Sequence, residues 1–397
     1  MKSEWRKCRL SDLGTIVGGA TPSTRDSSNY EGGTIPWITP KDLSSFKCRY
    51  ITNGERNITM AGLCSCSTQM LPENTVLFSS RAPIGYVAMA KNKLCTNQGF
   101  KSIVPFTKTD PLFLYYLMLY NRSRIEKLGS GTTFKEVSGS TMRNIEVEVP
   151  CNIEEQKQIS SILDKIDCKI ESNQMTNDNL EQQAQSYFQE LFVDNADPEW
   201  TTGTISDLGT VVGGSTPSKA KPEYYTESGI AWITPKDLSN NKSKFVSHGE
   251  NDITELGLRN SSASIMPEGT VLFSSRAPIG YIAIAAGEVT TNQGFKSVVP
   301  KPEIGTPFVY FFLKNTLPVI EGMASGSTFK EVSGSTMKNV PAVIPDAETL
   351  AKFSDFCAPI FAQQRILEEQ NQSLATLRDN LLPKLMSGEI DVSAVQL

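Results

Sequence analysis

Thr133-Phe-Lys-Glu-Val-Ser-Gly-Ser-Thr-Met142 occurs twice in this chain: Thr328–Met337 repeats it letter for letter, 195 positions later. Three more blocks obey the same offset. Trp37-Ile-Thr-Pro-Lys-Asp-Leu-Ser44 returns at Trp232–Ser239, Ser79-Ser-Arg-Ala-Pro-Ile-Gly-Tyr86 at Ser274–Tyr281, and Thr96-Asn-Gln-Gly-Phe-Lys-Ser102 at Thr291–Ser297. A constant offset means no net insertion between the copies. The period is far longer than a solenoid unit, so each copy reads as a whole domain.

Within a copy, short β-branched or aromatic runs alternate with turn signals. Ile35–Ile38, Thr75–Phe78, Tyr86–Met89 and Lys101–Val104 read as strands of one curved sheet. Leu13–Pro22 and Leu208–Pro217 are Gly-rich and read as turns. Asp110–Leu128 and Phe308–Met323 have helical spacing, with Pro318 expected to kink or shorten the second. Ser138–Asn144 reads as a short capped helix before a strand at Ile145–Val149.

Between and after the copies the texture changes. Leu163, Ile166, Ile170, Asn173, Asn177, Leu180, Ala184, Tyr187 and Leu191 step by three and four, a heptad seam without Gly or Pro. Phe353, Phe356, Ile360, Gln363, Leu367, Gln370, Leu374, Leu377 and Leu381 repeat the pattern after the second copy. A helix of about 40 residues is roughly 60 Å long. Two such helices in one chain are expected to pair with each other, antiparallel, their polar seam positions fixing register. The expected organisation is a domain over 1–150, a spacer helix over 151–195, a second domain over 196–345, and a second helix with a tail over 346–397. In that arrangement the two domains would be related by a pseudo-twofold axis.

A chain of 397 residues, 39% hydrophobic and 20% charged, has room for such domains with their own cores. No apolar run is long enough to span a bilayer and the first ten residues read as no signal peptide, so a cytoplasmic location with no membrane partner is expected. Of the eight cysteines, five lie in the first copy, where the second has Gly203, Ser243, Arg259, Ser261 and Thr290. A fold made twice, once without them, needs neither disulfide nor metal there. The net charge of −5 is unevenly spread: +7 over 1–150, −6 over 151–195, −2 over 196–345 and −4 over 346–397. The first copy thus has the basic balance that a nucleic-acid face requires.

The catalytic inventory is thin. The single histidine, His248, faces Asn53 in the other copy. There is no phosphate-binding Gly-x-x-x-x-Gly-Lys loop, no nucleophile elbow and no amino-methyltransferase Asn/Asp-Pro-Pro-Tyr/Phe motif. What does recur is polar and cationic: Thr39, Lys41, Ser79, Ser80, Arg81, Asn97, Gln98, Lys101 and Lys135 return as Thr234, Lys236, Ser274, Ser275, Arg276, Asn292, Gln293, Lys296 and Lys330. Arg and Lys suit guanine edges or phosphates, Asn and Gln suit adenine, and Ser and Thr suit phosphates, which makes these residues candidate DNA contacts. Each has a structural alternative. Arg81 and Arg276 could bridge their own sheets. Asn97-Gln98 could cap a turn. Trp37 and Trp232 read as core rather than as stacking platforms, and Gly18-Gly19 and Gly213-Gly214 as turns rather than phosphate cradles.

Together these blocks resemble the specificity subunit of a type I restriction-modification system. Gly-Gly-x-Thr-Pro-Ser, Trp-Ile-Thr-Pro-Lys-Asp-Leu, Ser-Ser-Arg-Ala-Pro-Ile-Gly and Thr-Asn-Gln-Gly-Phe are similar to that family's target recognition domains. Glu154–Ile159 resembles the start of its central spacer, and Leu381-Leu-Pro-Lys-Leu-Met-Ser-Gly-Glu-Ile390 its C-terminal tail. The resemblance implies an α+β protein with two mixed recognition domains on an antiparallel coiled coil. It would be a non-catalytic subunit binding double-stranded DNA at a bipartite site, and two like domains on antiparallel helices are expected to read inverted, related half-sites. Two methyltransferase subunits would transfer methyl groups to adenine N6, and restriction-translocase subunits would join them. S-adenosylmethionine, ATP and Mg2+ would be bound by those partners, leaving this chain without a cofactor or metal of its own. The competing readings are a scaffold joining two proteins without DNA, a specificity subunit of a methylation-only system, and a fused enzyme. In the family the two recognition domains usually differ, whereas here they are close relatives.

Overall fold

Each repeat is tied shut by its own ends. In the computed structural model, which describes residues 4–44, 46, 48–131, 135–326 and 330–392, Trp5–Arg9 pairs antiparallel with Glu146–Pro150. Thr201–Thr204 and Pro341–Ile344 pair in the same way in the second repeat. Thr133, Phe134, Thr328 and Phe329 of the duplicated block, Ser45 and Lys47, and the last five positions of the expected tail lie outside the described residues.

The chain divides into two units, residues 1–172 with 372–397, and residues 173–371. Each holds one repeat and a piece of both long helices, Ile153–Gln189 and Ala347–Met386. In the first unit a five-stranded sheet runs in the order Gly14–Gly18, Lys101–Pro105, Val76–Ser80, Ile84–Ala90, Tyr50–Ile51. Ile35–Ile38 does not belong to it. It pairs with Arg56–Ile58 on one side and, in parallel, with Cys95–Thr96 on the other. The expected single curved sheet is therefore two sheets. The second unit repeats the plan, with Tyr225–Thr226 as a fourth strand in the smaller sheet.

The Gly-rich segments also differ from expectation: Gly14–Gly18 and Gly209–Gly213 are edge strands, each paired with the Lys-Ser strand of the duplicated block. The glycine that follows is required by close packing. A Cβ on Gly19 would lie 2.1 Å from the Thr96 carbonyl oxygen, and one on Gly214 would lie 2.0 Å from that of Asn292.

The domain helix Pro111–Lys127 begins at Asp110, whose carboxylate accepts the Phe113 N–H. Its counterpart, Thr306–Gly322, is likewise 17 residues long and runs through Pro318. Pro318 does not shorten it, because Phe308, Phe311, Leu313 and Ile320 hold one face in the core. In the first unit that core joins Phe78, Phe113 and Tyr116 to Ile159 and Leu163 of one long helix and to Leu385 and Met386 of the other.

The long helices pair antiparallel within the second unit. Asn173 Nδ2 donates to Asn371 Oδ1 at 2.9 Å, Gln364 Nε2 to the Asn177 carbonyl at 3.2 Å, and Tyr187 lies 4.5 Å from the Phe356 ring. In the first unit Arg378 bonds Asp167 at 3.0 Å. The seam departs from the expected one in the C-terminal helix. Leu163 and Leu367 are buried, and Ile166, Ile170, Leu180, Leu374 and Leu381 half-buried. Leu377 is 48% exposed, however, and the buried polar position is Gln364 rather than Gln363. This helix faces both its partner helix and the domain core, so Cys357, Ile360, Phe361, Gln364 and Leu367 form a wider buried face than a two-in-seven seam.

Candidate nucleic-acid interface

The duplicated block earns its identity residue by residue. Glu136 and Ser130 exchange backbone hydrogen bonds, and Val137 N–H donates to the Ser80 carbonyl. Val137 and Met142 are fully buried. Ser138 caps the helix Gly139–Arg143 by accepting from the Thr141 N–H at 3.0 Å. Glu136 then faces two cations at once, Arg81 at 3.4 Å and Lys101 at 3.1 Å. Glu331, Arg276 and Lys296 repeat this cluster at 3.4 and 3.7 Å. Burial lowers the Lys296 pKa, against the opposing pull of Glu331.

The candidate DNA contacts separate into two groups. Ser79, Ser80, Ser274 and Ser275 are fully buried, so they are not surface contacts. They end strands covered on both faces. Ser79 Oγ donates to the Pro83 carbonyl and accepts the Tyr86 N–H, and Ser80 Oγ donates to the Gly99 carbonyl. Thr39 and Thr234 bond Asp42 and Asp237 across the first turn of short helices. Asn97 Oδ1 accepts the Gly99 N–H at 2.8 Å, as Asn292 does from Gly294, so both cap their turns. Trp37 and Trp232 are buried, each indole N–H bonded to a backbone carbonyl.

Apart from Lys101 and Lys296, whose side chains are only 16% exposed, the remaining candidates face outward in both repeats. Lys41 and Lys236 are exposed and pair with Glu55 at 2.7 Å and Glu250 at 2.6 Å. Gln98 and Gln293 accept from Thr21 and Thr216. Arg81 and Arg276 retain about a third of their side-chain exposure beside the carboxylate, and Lys135 and Lys330 are exposed. In the second repeat Thr234, Lys236, Arg276, Asn292 and Gln293 line one cleft of about 460 Å³. Hydrogen-bond donors, cations and short polar side chains in one open cleft match the groups that contact phosphates and base edges.

Two residues that matter were missed because the copies do not share their letters. Arg49 is 6% exposed and holds the acids of one helix: Nε meets Glu171 at 3.2 Å, Nη1 meets Asp164, and Nη2 meets Cys168 Sγ at 3.1 Å. At the matching position Lys244, equally buried, binds Glu181 at 2.8 Å and Gln364 at 2.8 Å, while its backbone N–H donates to Glu368. Its ammonium also sits 3.5 Å from the Phe361 ring centroid. Burial pushes the Glu181 pKa up, but Lys244 and Lys314 outweigh it and leave the carboxyl at about 2. Burial lowers Lys244 to about 8 against the pull of Glu181. Glu181 is the group that gains, since Tyr310 and Gln364 also donate to it, whereas Lys314 repels Lys244. The only sequence signal for these anchors was a cation at one offset in both copies.

The family described as Type I restriction modification DNA specificity domain matches the chain twice, over residues 2–182 and 198–377. The chain belongs to that family. Among members, it is 31% identical to the type I restriction enzyme MjaIX specificity subunit of Methanocaldococcus jannaschii, over 98% of this chain and 94% of that one. It is 24% identical to the HindI specificity subunit of Haemophilus influenzae, over 70% and 77% of the respective chains. The crystal structure of a type I restriction-modification S subunit from M. genitalium shares the fold, with a TM-score of 0.62 at 18% identity over 96% of both chains. The family's two matches take in both repeats together with most of the long helix that follows each. No helix among the described residues is long and apolar enough to cross a membrane.

Proposed function

We propose that this chain is the DNA sequence-recognition subunit of a type I restriction-modification complex, each repeat reading one half of a bipartite site. The observation that carries this is a cation and amide set made twice with the same partners: exposed Lys41 on Glu55, Arg81 on Glu136 with the more buried Lys101 beneath, Gln98 on Thr21, and their counterparts. A scaffold for two proteins has no need to hold two cations against one carboxylate at the same point of both domains. The chain acts without chemistry of its own. Methyltransferase partners seated against the long helices supply S-adenosylmethionine and methylate adenine N6 in the cytoplasm, and ATP- and Mg2+-dependent restriction subunits join that core.

The test is expression in a methylation-free host, alone and with its methyltransferase partner, followed by methylome sequencing. The pair is expected to mark one bipartite sequence and the single chain none. Methyl transfer by the purified chain, or a methylation pattern unchanged when this chain is left out, overturns the reading. Lys41→Ala and Lys135→Ala are expected to weaken binding to all sequences and to lower the salt slope by about one unit each.

A further inference from the structure

The cleft of the second repeat is lined by 14 residues, and 12 of them are identical at the matching positions of the first. The exceptions are Lys219, which faces Thr24, and Asn251, which faces Arg56. The exchange conserves charge. Each lining carries three cations, Lys41, Arg56 and Arg81 in one and Lys219, Lys236 and Arg276 in the other, with two acids in each. What changes is the pattern of hydrogen-bond donors and acceptors at one point. Arg56 stands opposite Trp37 in its strand pair, and Asn251 stands opposite Trp232 in the same register.

Conserved charge keeps the sequence-independent attraction to phosphates. A changed donor pattern on an otherwise identical wall alters what is read. Arg56 is exposed, and its guanidinium lies 4.7 Å from the Tyr30 ring centroid. That ring is fixed in turn by its hydroxyl on the Pro22 carbonyl at 2.6 Å and by edge contact with Trp37. A planar fork held in one orientation suits the two acceptors of a guanine edge, and an Asn amide suits the acceptor and donor of adenine. Resting on the DNA-recognition reading, we infer that Arg56 and Asn251 are a specificity-determining pair: Arg56 selects guanine in one half-site, and Asn251 selects adenine at the corresponding place in the other. Lys219 replaces the charge that Asn251 lacks.

The experiment uses the full chain with its methyltransferase partner and maps methylated sites for wild type, Arg56→Asn, Asn251→Arg and Lys219→Thr. Both reading positions are exposed, and an unchanged thermal melt confirms that the variants fold. Arg56→Asn is expected to change the preference from guanine to adenine at one base of one half-site, by roughly tenfold to a hundredfold, and to leave the other half-site intact. Asn251→Arg should do the reverse in the other half-site. Lys219→Thr should weaken methylation of all sites alike. An unaltered motif in both reading variants, or a uniform loss of methylation without a base change, overturns the inference alone. A wild-type complex that marks no defined sequence overturns the DNA-recognition reading as well.

Discussion

The two units solve one problem with different chemistry. Each must hold its repeat on the long helices, and each does so with a buried cation at the same offset. In the first, Arg49 uses its planar fork on two acids of a single helix, Asp164 and Glu171. In the second, Lys244 is a point charge shared between Glu181 on one helix and Gln364 on the other. The lesson is that letter-for-letter duplication marks what each repeat does within itself. The grip on the helices was free to change, provided that a cation met a carboxylate out of water.

The strongest way to break the comparison is to remove the anchors. Arg49→Ala should destabilise its unit by about 3–5 kcal/mol, because it strips the buried cation from Asp164 and Glu171, and Lys244→Ala should cost its unit less, because Lys314 stays on Glu181. Hydrogen exchange on the full chain should show the loss confined to residues 1–172 and 372–397 in one case and to 173–371 in the other. Equal loss of protection in both units would defeat the idea of independent anchors.

Acid should then separate the units. Glu181 has a folded-state pKa of about 2, below the usual value of about 4.3, so its contribution is complete above that value and is lost as pH falls toward 2. The second unit should lose about 3 kcal/mol over that window. Glu181→Gln should flatten this part of the profile, and a variant whose acid limb matches wild type would remove Glu181 from the account.

A smaller effect tests sameness. Ser138 and Ser333 cap identical helices through identical bonds, at 3.0 and 2.9 Å. Ser138→Ala and Ser333→Ala should each cost about 1 kcal/mol. A clear inequality between them in denaturant melts would show that the surroundings, not the cap, set the value.

The smallest effect concerns Leu377. With 48% exposure, Leu377→Ala should change the stability of the isolated chain by no more than about 0.5 kcal/mol. Leu163→Ala, at a fully buried position, should cost about 2–5 kcal/mol. Comparable losses would restore Leu377 to the seam that heptad spacing assigned to it.

Legibility in the sequence followed how local the physics was. The domain helices, the Ser138 cap and the long helices were readable because each is set by spacing and capping within a few residues. The division into two sheets was not, since it depends on Ile35–Ile38 pairing with residues far along the chain. Gly14–Gly18 looked like a turn because its strand character comes from the neighbour at Lys101–Pro105. Of the candidate contacts, composition could not tell the buried serines from the exposed lysines. Ser79 and Ser80 satisfy carbonyls that only the folded turn brings near. Arg49 and Lys244 are not legible as a repeated pair, because the two copies share only the charge at that position and not the residue.

The amide pair Asn173–Asn371 has a consequence for how the long helices find each other. A slip of seven residues toward the C-terminal end would keep apolar side chains facing one another but would set Arg378, which has no acceptor, against the Asn173 amide in place of Asn371. Such a misaligned pair gains most of the hydrophobic contact and forfeits a buried hydrogen bond, so it is an encounter that dissolves rather than a trap. The pair thus works as a proofreading step in assembly, sorting alignments that greasy surfaces alone would accept.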